Sequence, residues 1–384
     1  MGIWLSLLVG ALGCSSGAEA PAFQPWEEVV RSTVFEAGEA GYHTFRIPAM
    51  VESFSGSLLA ICEGRKEGQG DTGDIDLVMK RSGDGGSNWS SLQLIWDDGQ
   101  HVVGNPCIIR DEERQMLHLL CTTNLGSDSE REIMLGQSEA GRRVYYLFSE
   151  DDGHSWSSPR EITASVKDSS WRWYATGPGI GIQVQKGPHA GRLIVPCDHS
   201  VDSVLPDSLQ LSYKSHIIFS DDGGKTWELG GTVSPLVNEC QITEVQDPPG
   251  GLLLNMRAYS GRNFRQQALS TDGGMTWSQP ADMVSLIEPV CQASLLRYTW
   301  ADSLHPGLVV FANPASLRRE NLMIKYSFDE GNTWPYSQTI FPGPSAYSAL
   351  ARVGGQGLGC LFECGENSPY EAICFVGLKA PKAP

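Results

Sequence analysis

Ser82-Gly83-Asp84-Gly85-Gly86-Ser87-Asn88-Trp89 is the stretch on which the fold turns, because its skeleton, Ser-x-Asp-x-Gly-x-x-Trp, returns four more times in the 384 residues. The later copies are Ser149/Asp151/Gly153/Trp156, Ser220/Asp222/Gly224/Trp227, Ser270/Asp272/Gly274/Trp277 and Ser327/Asp329/Gly331/Trp334. Successive copies begin 67, 71, 50 and 57 residues apart. Those intervals suit one four-stranded sheet with its connections, roughly 40–60 residues. Each copy follows a β-rich run, such as Ile75 to Met79, Tyr145 to Phe148, His216 to Phe219 or Met323 to Tyr326, and precedes another extended segment. The motif is therefore expected on a hairpin turn, where Asp caps backbone N–H groups, Gly supplies a positive φ and Trp buries its ring against the sheet. Five scattered copies cannot share one active site, so their aspartates read as turn formers rather than catalysts or calcium ligands. The expected architecture is all-β: a six-bladed β-propeller with four-stranded antiparallel blades, one of them without the signature.

Composition agrees with many short strands. Glycine is abundant at 43 residues and tryptophan at 11, and 41% hydrophobic content can fill a large core. The formal charge of −17 argues against a nucleic-acid partner and against attraction to anionic membranes. An anionic substrate would need a local basic site. No shift of composition marks a second domain, so residues 21–384 read as a single domain after an N-terminal segment of residues 1–20. Within that segment the apolar run Ile3 to Leu12 is too short to span a bilayer. It fits an export signal cleaved near Ala20, or a lipoprotein signal with Cys14 as the acylated residue, although no Lys or Arg precedes it; Met1-Gly2 with Ser6 also matches the loose myristoylation pattern. The expectation is a secreted, periplasmic or membrane-anchored protein, associated with the membrane through its N-terminus if at all. Oligomeric state leaves no trace in the sequence.

The nine cysteines beyond Cys14 mostly sit in apolar strand-like runs, so buried free thiols are expected, with a disulfide or two as the alternative. No CxxC pair or HExxH helix occurs, and Cys197-Asp198-His199 stands isolated, so neither a metal nor another cofactor is expected. Gly177-Pro178-Gly179-Ile180-Gly181 imitates a nucleotide-binding glycine loop, but its third glycine is misplaced and no helix pattern follows; it reads as a turn between strands.

The five boxes together with Phe45-Arg46-Ile47-Pro48 resemble the Asp boxes and FRIP motif of the exo-α-sialidase (neuraminidase) superfamily. The likeness runs from about Phe35 to Leu378 and looks closest to bacterial-type enzymes through Asp71-Thr72-Gly73-Asp74-Ile75-Asp76, Trp173 to Gly179 and Pro196 to Ser200. It implies removal of terminal sialic acid from sialylated glycans. Sialic acid carries a carboxylate on its anomeric carbon, and bidentate guanidinium groups suit such a group. By resemblance the clamp is Arg46, Arg257 in Leu254-Asn255-Met256-Arg257, and Arg319, chosen over Arg318 by its spacing to Asn321-Leu322. The resemblance also implies a tyrosine nucleophile, where most glycosidases use a carboxylate that this substrate would repel. Tyr347 matches that position, Glu239 matches the base beside it, and Asp71 matches the acid/base, with Asp74 as second choice and Asp76 as a residue of the following strand. Glu363 matches a carboxylate that orients Arg46. Arg65 and Asn105 are assigned to ring hydroxyl or N-acetyl contacts, and Trp171, Trp173 and Tyr174 are as well suited to the core as to a wall of the site. Taken singly, a surface arginine, a core tyrosine or a solvated loop aspartate would be the simpler reading; their common motif setting reverses it. Hydrolysis is the leading activity, with transfer of the sugar to an acceptor, or glycan binding without cleavage, as alternatives.

Overall fold

The computed structural model describes residues 24–201, 206–303 and 305–381. The apolar run Ile3 to Leu12 and Cys14 lie outside them. All five boxes close the same kind of hairpin. Their serines end the strands Ile75–Ser82, Arg143–Ser149, Tyr213–Ser220, Phe264–Ser270 and Glu320–Ser327. In each, the serine Oγ donates to Asp Oδ1 at 2.7–2.8 Å. That Oγ also accepts the amide of the box glycine at 2.8–2.9 Å. Asp Oδ1 then accepts the amide four residues further on, at 2.8–2.9 Å. Bonds of this kind favour the charged carboxylate, and those from Asn88 and Ser155 draw Asp84 and Asp151 down to about 2.

Each such hairpin joins the third and fourth strands of an antiparallel meander. The first meander runs Thr44–Glu52, Leu58–Arg65, Ile75–Ser82, Gln93–Trp96. The next runs Val102–Asp111, Met116–Asn124, Arg143–Ser149, Arg160–Glu161. It is followed by Trp171–Thr176, Leu193–Val201, Tyr213–Ser220, Glu228–Val233, and then by Val237–Val245, Gly251–Ala258, Phe264–Ser270, Ala281–Ile287. Ser294–Thr299, Leu308–Pro314 and Glu320–Ser327 take the first half of the 18-residue strand Tyr336–Val353 as their fourth member. The second half of that strand begins another sheet with Gly357–Cys364 and Ala372–Lys379, whose outer strand is Glu27–Glu36 from the start of the chain. In this last sheet both ends of the chain meet, so no hairpin joins its outer two strands. That is why the box is missing there.

The box glycines show how the sheets pack. A Cβ on Gly153 would strike Leu59, one on Gly224 the Tyr146 hydroxyl, one on Gly274 Ile217 and one on Gly331 Leu253, in each case in the preceding meander. A Cβ on Gly86 would strike Phe375, in the sheet that holds both ends. Apolar layers fill the same junctions, for instance Phe35, Phe45 and Phe375 in one and Tyr146, Val195 and Trp227 in another. Gly224 has φ +82, and a Cβ there would collide with the Tyr146 oxygen, so Gly224→Ala combines backbone strain with overpacking. It is expected to cost about 2–5 kcal/mol in urea denaturation. Gly85→Ala, with φ +73 but open space, should cost only about 1–2 kcal/mol.

Seven cysteines are buried free thiols, as the apolar runs suggested, and Cys364–Cys374 form a disulfide across neighbouring strands. Gly179–Ile180 lies in a short parallel pairing with Val102–Asp111, in line with a link between strands. Among the described residues no helix is long and apolar enough to cross a membrane.

Candidate active site

The inner strands bulge at one common edge. Pairing registers shift between Arg46 and Ala49, Gly104 and Cys107, Trp171 and Tyr174, Val237 and Cys240, and Ser345 and Ser348. A bulge re-aims the residues inside it, and these include Ile47, directly after Arg46, and Asn105, Trp173, Glu239 and Tyr347. All five line one cavity. Ile47 and Asn105 hold φ of 61° and 54°, and strain of this kind, about 1–3 kcal/mol for a non-glycine residue, persists where the surroundings fix it. For Ile47 the fixing group is Glu363, whose Oε1 accepts its amide at 2.9 Å. The boxes end third strands and so lie at the opposite edge of the five sheets that carry them.

Glu363 is fully buried and serves three partners. Besides Ile47 it accepts Arg46 Nε at 3.1 Å and the Tyr347 amide at 3.0 Å. Arg257 and Arg319 reach the same cavity from the end of Gly251–Ala258 and from the loop before Glu320–Ser327. The Arg46 and Arg319 guanidinium carbons lie 5.3 and 5.5 Å from the Tyr347 ring centre. Arg257 Nη1 donates to Tyr347 Oη at 3.2 Å and to Glu239 Oε2 at 2.6 Å. Tyr347 Oη in turn donates to Glu239 Oε1 at 2.6 Å. Burial, reinforced by the Glu239 charge, pushes the Tyr347 phenol well above its ordinary value, while Arg257 and Arg319 pull the other way. The phenol is thus protonated at rest, with an acceptor already in place. Arg318 is exposed and does not line the cavity.

Asp71 hangs over the mouth on its loop, with about 62% of its side chain open. Arg65 holds it at 2.8 Å, and Arg46 stands 3.8 Å away. Partial enclosure raises its proton affinity, but these two charges outweigh it and hold the carboxyl below its usual value. Arg65 also donates to Glu63 and to the carbonyls of Gln69 and Gly70, tying down the loop that carries Asp71. Asp74 and Asp76 are taken up elsewhere, both by Lys66, at 2.8 and 3.0 Å. With Asp97 they form an acidic trio, but the Lys66 ammonium sits among them as a built-in cation.

The far wall was largely illegible beforehand. Asn105 Oδ1 accepts from Arg142, whose guanidinium lies 3.9 Å over the Trp173 ring and is drawn down to about 10 by burial. Beside it Asp198 is fully buried with neither oxygen hydrogen-bonded, and burial, with Glu239 and Glu130 adding, raises its proton affinity well above that of an ordinary carboxylate. Trp171 and Tyr174 belong to the interior instead: Trp171 stacks on His199 with centres 3.4 Å apart, and Tyr174 is wholly buried. Tyr370, also unforeseen, accepts Arg319 Nη1 at 2.7 Å and places its ring 4.2 Å from the Arg46 guanidinium. Nothing in Ser368-Pro369-Tyr370 announces this, because the loop is brought to the arginines only by the pairing of the two strands that flank it.

A family model described as a BNR repeat-like domain matches residues 56–360. Sialidase-3 of Rattus norvegicus is 32% identical over 90% of this chain and 93% of its own length. A sialidase of Bacteroides fragilis is 31% identical over 86% of this chain and 62% of its own. Among solved structures, Hadza microbial sialidase Hz136 aligns with a TM-score of 0.78 at 31% identity, over 91% of this chain and 68% of that one. The leech intramolecular trans-sialidase aligns at 0.74 with 19% identity, over 93% and 70%, a likeness of fold. With the boxes, the convergent arginines and these relatives in hand, the chain belongs to the BNR-repeat sialidases and is a glycoside hydrolase of that family.

Proposed function

We propose that this enzyme is an exo-α-sialidase that hydrolyses terminal α-ketosidically linked sialic acid with retention, through a covalent bond to Tyr347. The observation that carries the proposal is the close set of Tyr347, Glu239 and Arg257, beside Arg46 and Arg319. Three guanidinium groups can hold the carboxylate on the anomeric carbon, whereas an anionic nucleophile would be repelled there. A neutral phenol avoids that repulsion until it loses its proton to Glu239. In the first step Tyr347 Oη bonds to C2, the C2–O bond breaks, and protonated Asp71 gives its proton to the leaving oxygen. In the second, Asp71 takes a proton from water, the water oxygen bonds to C2 as the C2–Oη bond to Tyr347 breaks, and the phenol recovers its proton from Glu239.

The same reading takes the sheets as blades of a six-bladed β-propeller. Its support is the order in which the box glycines press on the preceding sheet, returning from Gly86 to the sheet that holds both ends. The sialylated ends of glycoproteins, glycolipids or oligosaccharides are then all substrates in principle, because only the terminal sugar enters the cavity.

A decisive test uses a 2,3-difluorosialic acid, a reagent whose complex with Trypanosoma rangeli sialidase is described as a covalent intermediate. Peptide mass spectrometry should find one adduct, on Tyr347; rapid turnover with the adduct on another residue would overturn the assignment. Asp71 gives a second prediction. In the empty cavity it is a carboxylate, the wrong form for an acid, so kcat/KM on sialyllactose should fall as pH rises through the mildly acidic range. Aryl sialosides with good leaving groups should show a flatter limb. Asp71→Asn should lose about 10²-fold or more on sialyllactose and much less on the aryl substrate; equal losses would place the acid elsewhere. Tyr370→Phe removes only the hydroxyl that accepts from Arg319. It should raise KM about three- to tenfold with kcat nearly unchanged, roughly 0.7–1.4 kcal/mol, the net scale of one hydrogen bond.

A further inference from the structure

A second pocket opens off the catalytic cavity. Glu130 and Tyr259 line both, and beyond them the side pocket is walled by Arg131, Met134, Leu209, Gln210 and Tyr213. The rings of Tyr213 and Tyr259 lie nearly parallel, 5.1 Å apart at 23°, and the Tyr213 hydroxyl donates to Glu130. The character of the wall is mixed: two flexible apolar side chains, two aromatic faces, one amide, one guanidinium and one carboxylate. That suits a small acyl group, with a methyl for Met134 and Leu209 and a carbonyl oxygen for the Gln210 amide.

The position of the pocket decides which part of the sugar reaches it. Its entrance is at Tyr259, whose ring lies 5.1 Å from the Arg257 guanidinium of the carboxylate clamp. In a sialic acid the three-carbon polyol tail branches from C6, separated from C2 by the ring oxygen alone. The acylated amine is on C5, diagonally across the ring. A sugar clamped at C2 therefore sends its tail, not its amide, toward a pocket that begins beside the clamp, and the tail is long enough to carry a substituent past Glu130.

We propose that this side pocket accepts an acyl group on the terminal carbon, C9, of the polyol tail, so that the enzyme cleaves C9-acylated as well as unmodified sialosides. Glu130 accepts hydrogen bonds from the tail hydroxyls at its entrance. The proposal rests on the sialidase reading above and narrows its substrate class.

The test compares three 4-methylumbelliferyl sialosides: the parent, one with a hydrolysis-resistant acetamido group at C9, and one with a lengthened acyl chain on the C5 amine. Wild-type kcat/KM for the C9 compound should lie within about fivefold of the parent. Leu209→Trp, which fills the pocket, should lower the C9 compound about tenfold or more and leave the parent within about twofold, the scale on which a pocket rejects added carbons. Gln210→Trp, at an exposed position, repeats the test should Leu209→Trp fold poorly. A wild type that cleaves the C5-lengthened compound freely but discriminates more than about 100-fold against the C9 compound would overturn the proposal, as would variants that slow parent and C9 compound alike. If no sialoside is turned over, the sialidase reading fails on its own, and equilibrium binding of 2,3-dehydro sialic acid against its C9-acetamido form decides the pocket. Comparable affinity supports the proposal; more than about 30-fold weaker binding refutes it.

Discussion

Tyr347→Phe should reduce turnover of an aryl sialoside by at least about 10³-fold, roughly 4 kcal/mol of barrier, while a dehydro sialic acid analogue still binds within a few-fold of wild type. The reason is geometric. The hydroxyl is the only atom removed, and with it go the bond to Glu239 at 2.6 Å and the acceptor for Arg257 at 3.2 Å. The ring remains beneath Arg46 and Arg319, so the clamp keeps its apolar support. A loss confined to kcat separates the nucleophile from a merely structural tyrosine, whose replacement would weaken binding and stability together. Progress curves and analogue titration on the same preparation settle it: wild-type turnover in the variant would sink the covalent mechanism, and lost binding with unchanged kcat would make Tyr347 a binding residue.

Glu363→Ala should be the most destabilising change at the site, about 3–5 kcal/mol in urea denaturation. Its carboxylate is wholly buried and accepts from Arg46 Nε, the Ile47 amide and the Tyr347 amide. Removing it leaves a buried guanidinium uncompensated and two buried amides unpaired, and frees the strained Ile47 to relax. Glu363→Gln retains an acceptor but no charge, so its loss should fall between those of wild type and alanine. In both variants kcat/KM should decline, because Arg46 no longer has a fixed direction. A variant with wild-type midpoint and wild-type kcat/KM would show that the Arg46 geometry is held by other contacts.

The turns were legible because they are local. Ser, Asp and Gly within five residues bond to one another, so five copies announced five identical hairpins without reference to the rest of the chain. The strands before them were legible for the same reason. Asp71 could be separated from Asp74 and Asp76 only by motif register, and in the fold Lys66 occupies the other two. Tyr370, Arg142, Glu130 and Asp198 stayed hidden. Each gains its setting from a different sheet, as when the Arg142 guanidinium lies 3.9 Å over the Trp173 ring.

The β class, the repeated hairpin and, by resemblance, the residue types of a sialic acid site were readable in the chain alone, since turn chemistry and strand patterning act over a few neighbours. The three-dimensional arrangement added that bulges at one edge of five sheets aim Ile47, Asn105, Trp173, Glu239 and Tyr347 into one cavity beside Arg46, that Glu363 ties two of those strands together, and that a second pocket opens beside the first. Such outcomes depend on strand register and on burial. Both are set by contacts such as that between Arg46 and Glu363, 317 positions apart, and no local pattern encodes a distance of that kind.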